Sequence, residues 1–114
     1  MRVFIAGPYN DFAPEDIIDQ NIERAVGIAQ ELMRQGHQVY CPHAMTGDWE
    51  HVPGIDREMF LALHSSFIEH WAEAILRLPG DSPGADAEMK LAAGLGLRIF
   101  PYPTKKMQWS TTDS

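Results

Sequence analysis

The sequence predicts a single α/β domain built on a parallel β-sheet. Three observations carry that expectation. Short apolar runs alternate with stretches whose apolar residues recur every three or four positions, the pattern of strands joined by crossover helices. Gly and Pro stand at the boundaries between them, where chain reversals need them. The 114 residues, 45% apolar and 10% aromatic, suffice for one continuous core.

Arg2 to Ala6 is an apolar run stopped by Gly7-Pro8, as expected of a strand buried on both faces. From about Pro14 to Gln35, the spacing of Ile18, Ile22, Ala25, Ala29, Leu32 and Met33 predicts a helix. Pro14 opens it and Gly36 follows its end, as helix punctuation requires. Gln38 to Cys41 reads as a second strand, stopped by Pro42, and Pro42 to Gly54 as a long loop without periodicity. Loops of that length often carry function. Met59, Leu63, Phe67 and Trp71 recur every four residues and predict a second helix from about Asp56 to Glu73. Ala74 to Leu78 is the third strand, Pro83 to about Leu95 the third helix, and Leu97 to Phe100 the fourth strand. The domain is expected to span residues 1–101. Residues 102–114 form a polar tail whose Tyr102, Met107 and Trp109 suit packing on the domain or on a neighbouring subunit.

Formal net charge is −7, so there is no basic footprint for a nucleic-acid polymer, and anionic membranes are poor partners. A small phosphate is not excluded, because backbone donors at a helix start supply local positive potential. No signal sequence or membrane span is read, and the lone Cys41 cannot form an internal disulfide. These features suit a cytoplasmic protein, with Cys41 packed at a strand end.

In open parallel sheets, ligands bind beyond the carboxyl ends of the strands. The segments that follow the strands are Gly7-Pro8-Tyr9-Asn10, the loop from Pro42-His43, and Pro79 to Gly84. In the last, Ser82 sits at a helix N-cap position, Pro83 at the first helical position, and Gly84 leaves the first turn uncovered. A phosphate site and a merely well-capped helix both fit that pattern. Glu88 shares the helical stripe of Gly84, Leu91 and Ala92, and no cation lies three or four residues away. A carboxylate at the rim of an apolar crevice can serve as nucleophile or proton donor; a solvated helix glutamate is the plainer alternative. Tyr9 either reaches the same crevice or caps the core, and Asn21 faces either solvent or the site. Trp49 either stacks on a base or pins its loop. His43 and His51, with Asp48 and Glu50, lack tight metal-ligand spacing, so no metal is expected.

Met1 to Tyr9, Asn21, Gly36-His37 and above all the run from Ala74 to Glu88 resemble the nucleoside 2-deoxyribosyltransferase superfamily, most closely a small bacterial and phage branch. The resemblance extends to about Pro101. It implies a flavodoxin-like, Rossmann-like three-layer sandwich whose four- to five-stranded parallel sheet has the order 2-1-3-4. It further implies cleavage or transfer at the N-glycosidic bond of a (deoxy)nucleoside or its 5′-monophosphate through a covalent glycosyl-glutamate, without a cofactor, in a homodimer or higher homo-oligomer. Ser82, Gly84 and Glu88 reproduce the S-x-G-x-x-x-E spacing of nucleotide N-glycosidases. There the serine helps hold phosphate and the glutamate is the nucleophile; Tyr9 matches the family's tyrosine after the first Gly-Pro, which positions and assists that glutamate. Gly7, Pro8, Asn21, His43, Trp49, Gly80 and Asp81 complete the expected substrate contacts. One departure stands out. Active members carry an aspartate about eight residues before the acid that leads into strand three, and counting back from Glu73 reaches Ser65, beside His64. His64, with an ordinary pKa near neutrality, is the substitute proton donor.

Two functions therefore stand: an enzyme acting on nucleosides or nucleotides, and a catalytically silent nucleotide-binding or regulatory module of the same fold. A phosphatase loop would need an arginine six residues after Cys41, where Gly47 stands. A response-regulator pocket would need acids directly after strands one and three, where Gly7-Pro8 and Pro79-Gly80 stand.

Overall fold

The computed structural model describes residues 1–9, 14–46 and 52–101. Four strands, β1 (Arg2–Ala6), β2 (Gln38–Tyr40), β3 (Ala74–Arg77) and β4 (Arg98–Pro101), alternate with helices α1 (Glu15–Arg34), α2 (Pro42–Thr46), α3 (Arg57–His70) and α4 (Pro83–Gly94). The strands form one all-parallel sheet in the order β2-β1-β3-β4, the flavodoxin-like arrangement. The expected tail, 102–114, lies outside the described residues.

Parallel pairing forces every connection to cross a face of the sheet. The two faces are consequently separate apolar layers. Val3, Ile5, Leu76 and Leu78 pack under Ala25, Ile28, Ala29 and Leu32 of α1. Phe4, Ala6, Tyr40 and Ile75 pack under Ile68 of α3 with Ala85 and Ala92 of α4. The central strands β1 and β3 are buried on both sides, which is why they read as continuous apolar runs rather than alternating ones.

Three expectations need correction. The loop after β2 is not irregular from its start, because Pro42 at a first helical position nucleates the short α2. In α1 the buried stripe includes Ile28, while Met33 is 62% exposed; one residue beyond Leu32, it is rotated about 100° off the stripe. In α3 the four-residue repeat marks the core face only in part: Phe67 and Trp71 pack against the sheet, but the first member of the series does not. Each four-residue step overshoots a turn by about 40°, so the series drifts around the helix. Met59 ends up exposed, and the buried positions are His64 and Ile68.

Candidate functional site

β1 feeds α1 on one face, and β3 feeds α4 on the other, so the connections diverge between the carboxyl ends of β1 and β3. That divergence leaves a crevice where ligands of such folds bind. α3 and α4 share one face and both begin at this edge of the sheet. Between the two helix starts, the exit of β1 and α2 lies a cavity of about 330 Å³, within the ~300–1,000 Å³ typical of small-molecule sites.

The exits of β1 and β3 press directly together. A Cβ on Gly7 would stand 2.7 Å from the Leu78 Cβ, and one on Gly80 would stand 2.8 Å from the Pro8 Cγ. Gly80 also has φ +114, a backbone region costly to other residues. Gly7 lines the cavity, whereas Gly80 does its work behind it, against Pro8.

Tyr9 lines the cavity and its backbone is braced from two sides. The Asn21 side-chain amide donates to the Tyr9 carbonyl at 2.9 Å, and Asn21 Oδ1 accepts from Arg24 at 3.5 Å. Arg24 also donates to the Pro79 carbonyl at 3.1 Å, tying α1 to the exit of β3. His43, buried in α2 and lining the cavity, places Nε2 2.9 Å from the Pro8 carbonyl. A carbonyl only accepts, so that nitrogen carries the proton. The His43 ring meets the Tyr9 ring edge-on at 6.1 Å.

Ser82 is buried and caps α4, its hydroxyl accepting from the Ala85 N–H at 3.2 Å. Its carbonyl accepts from the Asp86 N–H at 2.9 Å. Pro83 has no N–H, so of the first-turn donors only the Gly84 N–H is without a partner among the described residues. Beyond its chain neighbours and its own helix backbone, nothing lies within 4 Å of where a Gly84 Cβ would be.

Glu88, one turn further along α4, is half-buried against this cavity. No hydrogen bond reaches its carboxylate among the described residues. Burial pushes its pKa up to about 7, and the Arg77 guanidinium opposes the rise. An unpartnered carboxylate that titrates near neutrality is the arrangement a reacting acid requires.

His64 also lines the cavity, but its expected neutral-range ionisation does not survive folding. Burial, reinforced by His43, lowers its pKa to about 4. Both ring nitrogens are engaged, Nδ1 with the Tyr40 hydroxyl at 3.3 Å and Nε2 with Thr46 Oγ1 at 3.5 Å. His64 is therefore a neutral wall residue at pH 7.

Gly7, Tyr9, His43, His64, Ser82, Gly84 and Glu88 thus converge on one cavity. Pro8, Asn21, Gly80 and Asp81 are not in its lining; the first three brace the loops, and Asp81 is exposed. Trp49, with Asp48, Glu50 and His51, falls outside the described residues. Among the described residues no group of three His, Cys, Asp or Glu side chains could hold a metal.

Sequence reasoning missed the opposite rim. Asp56, whose carboxylate caps α3 by accepting from the Met59 N–H at 3.0 Å, lines the cavity with Arg57 and Phe60. Arg57 has no ion-pair or hydrogen-bond partner among the described residues. A cation in the first turn opposes the helix dipole, and that misfit is a signal the sequence did carry. In comparisons with known proteins, no family model matches the chain and no curated protein matches it.

Proposed function

We propose that the protein cleaves or transfers the N-glycosidic bond of a (deoxy)nucleoside or its 5′-monophosphate, with Glu88 as nucleophile. The observation that carries this reading is a carboxylate without a hydrogen-bond partner among the described residues, raised to a pKa of about 7, in a cavity of about 330 Å³ shared with Tyr9, Ser82 and Gly84. The resemblance of the Ala74 to Glu88 run to the deoxyribosyltransferase superfamily supplies the chemistry. Arg57 and the Gly84 N–H, which has no partner among the described residues, are groups that favour an anionic substrate end.

In this reading the ionised Glu88 attacks the sugar C1′. The C1′–N bond breaks, its electron pair leaves with the base, and the base takes a proton from solvent. His64 is not that donor, because it is un-ionised above about pH 4. Water or a second base then attacks C1′ of the glycosyl ester and restores the carboxylate, as in double-displacement glycosidases. Tyr9, held in place by Asn21 and His43, supports the glutamate.

The un-ionised His64 favours a second reading, a silent nucleotide-binding module. Incubating wild-type and Glu88→Gln protein with pooled nucleosides and monophosphates, followed by mass spectrometry, separates the two. The enzyme releases free base and shows glycosyl mass on Glu88, and Glu88→Gln does neither. Ligand-induced thermal stabilisation shared by both proteins, without base release from either, establishes the module instead.

A further inference from the structure

Side chains along a strand alternate between the two faces of its sheet. On β3, Leu76 faces α1 while Ile75 faces α3 and α4. Arg77 therefore points, with Ile75, toward the α4 layer, and it is paired in register with the buried Ala6. A guanidinium at the end of an otherwise apolar strand, its side chain only 18% exposed, needs compensating acceptors.

It has three. Arg77 donates to the carbonyls of Leu78 and Gly80 and to Asp86 Oδ1, the last two at 3.0 Å. These acceptors span the turn between β3 and the first turn of α4, so one planar fork joins both ends of the segment that presents Glu88. Asp86 itself is 68% exposed, so the ion pair adds little by charge alone. Its value is geometric.

We infer that Arg77 is a positioning residue for Glu88, joining the end of β3 to the first turn of α4 and thereby setting where that carboxylate enters the cavity. Its functional meaning rests on the reading of Glu88 proposed above. Other ionisable groups also surround this carboxylate. Tyr40 of β2 couples to it electrostatically, and Asp86 shares its helix. His43 and Tyr9 face the cavity from the sheet edge, and His64, Asp56 and Arg57 face it from the α3 side. Burial raises the Glu88 pKa, and the Arg77 guanidinium offsets part of that rise.

The test is NMR on the full chain, following the Glu88 side-chain carboxyl, assigned with Glu88→Gln, together with amide exchange of Ala85 and Asp86. In Arg77→Gln the Glu88 midpoint should rise by about one pH unit and the two amides should exchange about tenfold faster. Either quantity unchanged in folded Arg77→Gln overturns the proposal. Should Arg77→Gln fail to fold, Arg77→Lys decides. A lysine keeps the charge but cannot fork across three acceptors, so the midpoint should hold while the amides exchange faster. Unchanged exchange there is equally fatal. Neither readout involves ligand or turnover, so failure here is distinct from failure of the proposed activity.

Discussion

The Tyr40 hydroxyl lies 3.3 Å from His64 Nδ1, and this contact has one permitted direction. Thr46 already spends its only hydroxyl proton on the Pro42 carbonyl at 3.1 Å, so toward His64 Nε2 it can only accept. Nε2 therefore bears the proton of the neutral ring, Nδ1 is the acceptor, and Tyr40 donates. The network binds β2, α2 and α3 together under the cavity.

That assignment is directly measurable. Long-range nitrogen–proton NMR at pH 7 should show His64 as the neutral Nε2–H tautomer. Tyr40→Phe leaves Nδ1 without its donor and should destabilise the fold by about 1–2 kcal/mol. A predominant Nδ1–H tautomer would contradict the direction of the network.

The pH dependence of stability should carry two opposed contributions. Glu88 is raised from 4.5 to about 7, so between these values the folded state binds more protons, and stability falls as pH rises. His64 is lowered from 6.5 to about 4, so over that range the unfolded state binds more protons, and stability falls as pH drops. The two slopes overlap and offset in mildly acidic solution. Relative to wild type, Glu88→Gln should gain about 3 kcal/mol at pH 8, shrinking to nothing by about pH 3.5. Denaturant titrations across pH measure it, and a gain independent of pH would show that Glu88 is ionised equally in both states.

Activity should follow the ionised form of Glu88. The kcat/KM for base release should fall about tenfold per pH unit below a midpoint near 7. A flat profile from pH 5 to 8 would remove Glu88 from the role of nucleophile.

The two strand exits admit no added carbon. Gly80→Ala brings a Cβ to 2.8 Å from the Pro8 Cγ at φ +114, and Gly7→Ala brings one to 2.7 Å from the Leu78 Cβ. Each should cost about 1–3 kcal/mol, whereas Gly84→Ala, facing open space, should leave thermal stability nearly unchanged. Thermal unfolding of the three variants is the comparison.

By itself the sequence determined the architecture and the edge of the sheet at which the cavity opens. Apolar runs, helical periodicity and Gly-Pro stops are local signals, and in a parallel sheet they place every strand exit on one edge. Glu88 was legible for the same reason: helical geometry alone sets a carboxylate on the stripe of Gly84, Leu91 and Ala92. Only the tertiary structure decided what the neighbours do. Asn21 and Gly80 turned out to be braces, and Asp56 and Arg57 came to face α4 because two helices far apart in sequence begin side by side. The ionisation of His64 and Glu88 was likewise unreadable in advance, because desolvation depends on every atom packed around a charge and not on its neighbours along the chain.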